Sequence, residues 1–132
     1  MKRRPKILIV EDDTPVAMMA VHLLTHAGCD VLAAHTGVKG LELARESRFG
    51  LIALDVDLPD MSGFEICRQL KQRHISRNTP VIFVSGRASE QDARHGLELG
   101  AVDFIAKPFD ASDFVSRILS HVQETKECVS RP

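Results

Sequence analysis

The sequence lacks a long apolar run and a strong charge of either sign. The 132-residue chain has a formal net charge of −1, which gives no electrostatic attraction toward nucleic acid or an anionic membrane. After the short basic start at residues 1–4, the first apolar run lasts only four residues. This is too short for a signal peptide or a membrane span. We therefore expect neither direct nucleic-acid binding nor membrane insertion.

The chain also has few cysteines. Cys29, Cys67 and Cys128 are odd in number and lack metal-type spacing, so we expect free thiols in a reducing cytoplasm. Hydrophobic residues make up 44% of the chain and charged residues 27%. These values are typical of a soluble globular chain, and the length predicts one domain with a substantial core.

Short apolar runs alternate with longer amphipathic ones along the chain. This alternation predicts an α/β fold, a doubly wound (βα)5 parallel five-stranded sheet with helices on both faces. We expect the flavodoxin-like strand order 2-1-3-4-5. The predicted strands are 6–10, 30–34, 50–54, 80–84 and 102–106. The predicted helices are 14–27, 37–47, 63–74, 89–99 and 111–124.

The first helix has clear boundary signals and an ambiguous apolar face. Thr14 is expected to cap its start, followed by Pro15 at the first helical position, and Gly28 to close it. The i, i+3, i+4 rhythm leaves Ala17, Met18 and Val21 off the core face, either exposed singly or forming a docking strip. The predicted core face is Val16, Met19, Ala20, Leu23, Leu24 and Ala27.

Polar side chains follow four of the predicted strands at the point where each strand ends. Glu11 and Asp12 follow the first strand and Asp55 the third, while Ser85 and Lys107 follow the fourth and fifth. The carboxyl ends of parallel strands share one sheet edge, where such folds bind ligands. Carboxylates gathered there bind a hard cation or form a phosphoryl acceptor.

Four motifs in this order resemble the receiver domain of bacterial two-component response regulators, over about residues 5–124. They are ILIVEDD at 7–13, DVDLPDMSG at 55–63, VSG at 84–86 and GAVDFIAKPF at 100–109. Any one of these motifs alone would be weak evidence, but all four stand in the family's order and at its separations. The resemblance implies a signalling domain that catalyses only its own phosphorylation and slow autodephosphorylation.

The resemblance implies a role for each residue of the predicted site. Asp55 would accept a phosphoryl group from a partner phosphohistidine. Mg²⁺ would be bound by Asp12 directly, by Glu11 through water, and by the backbone carbonyl of Asp57, a set that suits this ion. Lys107 would pair with Asp55 and then with a phosphoryl oxygen, and its bond to Pro108 would be cis. Ser85 would donate its hydroxyl to another phosphoryl oxygen.

The resemblance also implies a switch and two kinds of partner. Phe104 matches the family's switch aromatic and would turn inward as Ser85 moves toward the phosphoryl group. This would change the face of the fourth helix, fifth strand and fifth helix, where a downstream effector binds. The phosphodonor would be a sensor histidine kinase or a histidine phosphotransfer protein.

Domain limits and self-association follow from the same resemblance. We expect a receiver domain at 1–124 and a tail at 125–132 without an output domain, either as a stand-alone protein or as a piece of a larger one. Asp103 and Arg117 match positions through which winged-helix response regulators pair. Ala93 and Glu124 depart from that pattern, so we expect a monomer or a weak, phosphorylation-dependent dimer.

Two questions about the residues of the predicted site have alternative answers: the class of protein, and the relation between the two rim residues. Asp55 and Asp57 also resemble the DxD motif of haloacid dehalogenase-type Mg²⁺ phosphatases, although the acid pair at 11–12 precedes them, against that family's order. At the rim, Asp57 and Arg87 flank the mouth of the site. They are either separate solvated charges or a loose pair that obstructs hydrolytic water.

Overall fold

The computed structural model describes residues 4–87 and 89–123, in which five strands alternate with five helices. The strands are β1 (Lys6–Val10), β2 (Asp30–Ala34), β3 (Leu51–Leu54), β4 (Val81–Ser85) and β5 (Asp103–Ala106). The helices are α1 (Thr14–His26), α2 (Gly37–Glu46), α3 (Gly63–Gln72), α4 (Glu90–Glu98) and α5 (Ala111–His121). The predicted strands agree with these bounds to within one residue at each end.

All strands are parallel, in the order β2-β1-β3-β4-β5. The predicted fold class and strand order are therefore confirmed. In the centre of the sheet, Ile7 lies beside Leu51 and Val10 beside Leu54. This register places the residues that follow β1 and β3 next to each other at the carboxyl edge, where the strand order reverses.

Alternate residues of the central strands point into two separate cores. Leu8 and Val10 belong to the core beneath α2 and α3. Ile7 and Ile9 belong to the core beneath α1 and α5. Every residue of β3 is buried, as expected for a strand covered on both faces. The central strands are thus held rigidly, which fixes the loops at their carboxyl ends.

The start of α1 differs from the prediction. Asp13, not Thr14, is the N-cap: its carboxylate accepts the N–H of Val16 at 3.2 Å, and Thr14 is already the first helical residue. At the other end, Gly28 has a φ of +97°, a conformation that favours glycine just after a helix. Its N–H donates to the carbonyl of Thr25 at 3.0 Å.

The core face of α1 is also only partly the predicted one. Ala20 and Leu24 are buried as expected, but so is Ala17, which the sequence placed elsewhere. Met19 is 44% exposed and Ala27 is exposed, although both were predicted in the core. The buried face follows residues 17, 20 and 24, a stripe rotated toward the small side chains that allow α1 to approach the sheet.

Two of the three cysteines are buried free thiols, Cys29 and Cys67, and burial raises the pKa of each. Cys128 and the predicted tail at 125–132 lie outside the described residues. The last helix, α5, ends at His121, three residues before the predicted end at 124, because the backbone is already extended at Val122. None of the helices in the described ranges is both long enough and apolar enough to cross a membrane.

Candidate phosphoryl-transfer site

Three carboxylates meet at the carboxyl edge of the sheet. Glu11 follows β1 and Asp55 follows β3, and both are buried, with 4% and 7% of their surface exposed. Asp12 is exposed beside them. One ligand oxygen from each of the three lies within 4.8 Å of the others. The structure thus brings together the three acids that the strand pattern placed at one edge.

Lys107 reaches this cluster from the end of β5. Its backbone N–H donates to the carbonyl of Ser85 at 2.8 Å, and its peptide bond to Pro108 is cis, as the resemblance implied. The Lys107 Nζ donates to Glu11 Oε1 at 2.6 Å and to Asp55 Oδ2 at 3.1 Å. One ammonium group therefore bridges the two buried carboxylates.

The charges in this cluster do not balance. Burial raises the pKa of Glu11, although the hydrogen bond from Lys107 opposes the shift. Burial lowers the pKa of Lys107, but its contacts with Glu11 and Asp55 outweigh this effect and raise it. Three carboxylates against one ammonium leave two negative charges uncompensated when all are ionised. An all-oxygen donor set of this charge fits a hard divalent cation such as Mg²⁺.

The loop after β3 is held tightly against Asp55. The N–H of Asp57 donates to Asp55 Oδ1 at 3.1 Å, and the N–H of Gly63 donates to the carbonyl of Val56 at 2.7 Å. A Cβ at Gly63 would lie 2.1 Å from the Asp55 carbonyl oxygen, so only glycine allows this approach. These contacts fix the backbone on both sides of the Asp55 carboxylate.

Ser85 is the last residue of β4, and Arg87 lies in the loop that follows it. Ser85 is fully buried, and its Oγ accepts the N–H of Arg87 at 3.0 Å. The Arg87 guanidinium donates to Asp57 Oδ1 at 2.9 Å and also to both carboxylate oxygens of Asp92 in α4, at 3.3 and 3.2 Å. The two rim residues named from the sequence are therefore in contact, and Arg87 links the β3–α3 loop to α4.

Phe104 lies on β5 and is partly buried. Its ring centroid is 6.0 Å from that of Phe83 in β4. Gly96 of α4 packs against the same aromatic pair, where a Cβ would meet the Phe83 ring at 2.8 Å. Phe104 therefore packs against the core, and α4 approaches β4 closely because Gly96 has no side chain.

Sequence reasoning missed several contacts around the site. The Glu11–Lys107 bond and the Arg87–Asp92 pair were not anticipated. The carboxylate of Asp60 accepts the N–H groups of Gly37 at 2.8 Å and Val38 at 2.9 Å, the first two residues of α2, whose N-cap is Thr36. The sequence signal for Asp60 was an acid in a turn-rich loop, which does not reveal that its partner is 23 residues away.

Comparison with known proteins assigns this arrangement to one family. Residues 7–119 match the family model described as "Response regulator receiver domain". The chain is 41% identical over 113 residues to the response regulator ArlR of Staphylococcus saprophyticus, covering 86% of this chain and 50% of that protein. It is 37% identical over 125 residues to the transcriptional regulatory protein CreB of Escherichia coli, covering 95% and 54%. The chain spans about half the length of these curated relatives.

Solved structures give the same result. The chemotaxis protein CheY4 of Vibrio cholerae superposes with a TM-score of 0.86 at 28% identity, covering 90% of this chain and 99% of that one. The non-phosphorylated HemR receiver domain of Leptospira biflexa gives a TM-score of 0.84 at 31% identity, covering 95% and 99%. The similarity thus includes the whole sheet and its carboxyl edge.

Proposed function

Because the chain belongs to the response regulator receiver domain family, we propose that Asp55 is its phosphoacceptor. The observation that carries this proposal is the position of Asp55 at the carboxyl edge, in contact with the Lys107 ammonium and beside two further carboxylates. Receiver domains act in signalling. The phosphatase alternative finds no support, since the family model is that of the response regulator receiver domain and the solved structures that the chain resembles include receiver domains.

In the proposed step, a carboxylate oxygen of Asp55 attacks the phosphorus of a phosphohistidine on the partner protein. The new O–P bond forms as the P–N bond breaks, and the electron pair returns to the imidazole nitrogen. Lys107 would then pair with one phosphoryl oxygen, and Ser85 would donate its hydroxyl to another. Each residue neutralises charge on the equatorial oxygens and positions them for in-line transfer.

We propose that Mg²⁺ is held by Asp12 directly, by Glu11 through water and by the backbone carbonyl of Asp57. The acidic cluster supports this proposal by its charge and by its oxygen donors. Bound there, the ion would offset the negative charge of the phosphoryl oxygens and of the carboxylates. The same site would catalyse slow hydrolysis of the aspartyl phosphate when water enters.

We propose that the phosphoryl group acts on a downstream effector through Ser85 and Phe104. Phe104 has no hydroxyl to keep in water, and its packing against Phe83 fits an inward position without phosphate. Movement of Ser85 toward the phosphoryl group would then tighten this packing. The change would reach α4, β5 and α5, since Gly96 lies against the same ring pair.

The wider biological assignments are proposals of the same kind. The phosphodonor would be a sensor histidine kinase or a histidine phosphotransfer protein, and the receiver unit would comprise residues 1–124. The free thiols of Cys29 and Cys67 support a reducing cytoplasmic location. The effector would be a protein or domain, because the chain carries no excess of positive charge for binding nucleic acid.

Acetyl phosphate tests the phosphoacceptor directly. With millimolar Mg²⁺, intact-mass spectrometry should show one added phosphoryl group that is labile in acid and base, as expected for an acyl phosphate. Asp55→Asn should abolish this product, and Asp12→Ala should slow its formation strongly. Asp13→Asn is the matched control, since it changes an adjacent acid but keeps a residue that caps helices well.

Two outcomes would contradict the proposal. One is a phosphoryl group mapped to a serine or histidine; the other is a normal yield from Asp55→Asn. Equal rates with and without a chelator would contradict the metal assignment alone.

A further inference from the structure

Three of the six histidines line one groove on the surface of the domain. The groove lies between α1 and β2, has a volume of about 530 Å³ and contains His22, His26 and His35. One end of the groove abuts the acidic cluster, since His35 Nδ1 lies 3.0 Å from the backbone carbonyl oxygen of Glu11. None of the three clustered carboxylates lines the groove. This concentration of imidazoles plays no part in the phosphoryl-transfer chemistry proposed above.

His22 and His26 lie one turn apart on the exposed side of α1. Their ring centroids are 4.2 Å apart, with 45° between the ring planes. The i, i+4 spacing places both side chains on the same face of the helix. The helix backbone therefore holds two imidazoles side by side, and only side-chain rotation is needed to turn two nitrogens toward a shared point.

A backbone contact sets the tautomer of one ring. His26 Nδ1 lies 3.2 Å from the carbonyl oxygen of His22. A carbonyl only accepts, so Nδ1 carries a proton in this contact, and in the neutral ring the Nε2 lone pair is then available. Histidines that bind metals commonly donate their other ring N–H to a carbonyl in this way. In residues 4–87 and 89–123, the histidine that forms an ion pair with a carboxylate is His121, not His22 or His26.

We propose that His22 and His26 form a binding site for a divalent first-row transition metal ion. Imidazole suits Cu²⁺, Ni²⁺ and Zn²⁺, whereas carboxylates suit Mg²⁺, so the two sites on this domain differ in the ions they select. We do not include His35 among the residues that ligate the ion. Within the described ranges, the group of three potential ligands within 4.8 Å of one another is the acidic one. Water would fill the remaining coordination positions.

Cu²⁺ is the probe of choice because, among the first-row divalent ions, it binds nitrogen ligands most tightly. Tag-free protein carrying Cys128→Ser, to remove a competing thiol, would be titrated in excess Mg²⁺, which occupies the acidic cluster. We expect one Cu²⁺ per chain by calorimetry, with an electron paramagnetic resonance spectrum typical of equatorial nitrogen ligands. His22→Ala and His26→Ala should each weaken binding by at least about tenfold, since loss of an outer-shell partner alone costs that much.

His74→Ala is the matched control, because His74 is exposed and lies away from the groove. The affinity of this variant for Cu²⁺ should stay within twofold of the parent's. Both test variants should fold, since alanine is the better helix former at exposed positions. Asp12→Ala should keep the Cu²⁺ site even if it loses phosphorylation, which separates this proposal from the phosphoacceptor assignment. Affinity that is unchanged in both His22→Ala and His26→Ala, or the absence of nitrogen ligation, would overturn it.

Discussion

Arg87 contacts Asp57 across the gap between the loops that follow β3 and β4. The Nη1 atom of Arg87 donates to Asp57 Oδ1 at 2.9 Å, while both side chains remain more than half exposed. Arg87 is anchored a second time by Asp92 of α4. An isolated surface pair contributes little to stability, but this pair is part of a three-residue chain. Its position at the mouth points to an effect on access to Asp55.

We predict that Arg87→Ala shortens the lifetime of the phosphorylated protein several-fold. Without Arg87 the mouth is open, and the free Asp57 carboxylate can orient the attacking water. A barrier lower by about 1.4 kcal/mol gives a tenfold faster reaction, so a smaller change is still measurable. The half-life would be followed by intact-mass spectrometry after removal of acetyl phosphate. Lys107→Ala should impair signalling, and not simply hasten loss of the phosphoryl group.

Asp92→Asn separates the two anchors of Arg87. It removes the charge on the α4 side while the contact between Arg87 and Asp57 stays available. If the mouth contact controls hydrolysis, this variant should lose phosphate more slowly than Arg87→Ala. A half-life in Arg87→Ala within twofold of the parent, with normal phosphorylation, would show that Arg87 is only a surface charge.

The positions of the main site residues followed from the sequence because strand ends determine them. Once β1, β3 and β5 are located, parallel pairing brings Glu11, Asp55 and Lys107 to one edge whatever their rotamers. Partner choice among side chains is different. Lys107 donates to Glu11 at 2.6 Å in addition to its bond with Asp55. This choice of partner depends on the local geometry and on which carboxylates are buried away from water. Spacing along the chain carries no such information.

The fold was predictable from the sequence because the strands could be located, whereas the buried face and the N-cap of α1 were not predicted correctly. The apolar runs are short and well separated, so the strands were found to within one residue. In α1, however, apolar residues occur on nearly every side of the helix, and periodicity cannot choose between adjacent stripes. Tertiary packing selected the stripe containing Ala17, and Met19 was left 44% exposed. The N-cap was misplaced by one residue because Asp13 and Thr14 can both cap.

The uncompensated charge at the acidic cluster predicts a dependence of stability on metal. Millimolar Mg²⁺ should raise the melting temperature by several degrees, because an ion that binds only the folded state stabilises it by mass action. In metal-free buffer Asp55→Asn should also raise it, since Lys107 keeps Glu11 as its partner at 2.6 Å. A gain of about 1 kcal/mol would appear as a rise of roughly 2–8 °C. Differential scanning calorimetry gives both values.

The control for this effect is Asp13→Asn, which changes an exposed acid outside the cluster and should leave the metal-free melting temperature nearly unchanged. A lower melting temperature in Asp55→Asn would argue that the bond from Lys107 to Asp55 stabilises the fold more than the carboxylates repel each other. The response to Mg²⁺ should be smaller in Asp55→Asn than in the parent.

We expect the unphosphorylated protein to be monomeric. Arg117 forms two hydrogen bonds with Asp103 in the same chain, at 2.6 and 3.0 Å, so both groups already have partners. Light scattering should therefore give a mass near 14.6 kDa. Any dimer formed with acetyl phosphate should be weakened by Leu97→Glu in α4 and not by Leu32→Glu in β2, two leucines of similar exposure. A tight dimer without phosphate would contradict this expectation.

The pair of Asp103 and Arg117 also predicts how stability depends on pH. Burial raises the pKa of Asp103, but hydrogen bonds from Arg117 and the Phe104 N–H, together with the Arg117 charge, outweigh it and lower the pKa below its ordinary value. A carboxyl whose pKa is lower in the folded state stabilises the fold at pH values above its pKa in the unfolded chain, which is about 3.9. That contribution disappears as the pH falls through the folded pKa.

We predict that Arg117→Ala lowers the free energy of unfolding at pH 7 by about 1 kcal/mol, a value limited by the partial exposure of the arginine. Part of this loss comes from packing of the arginine stem, which does not depend on pH. The part due to the ion pair must shrink as the pH falls below about 4, where Asp103 is protonated in the variant. His121, 3.5 Å from Asp103, is present in both proteins. Urea unfolding at pH 7 and pH 3 gives the two differences. An equal loss at both pH values would mean that Arg117 stabilises the domain by packing alone.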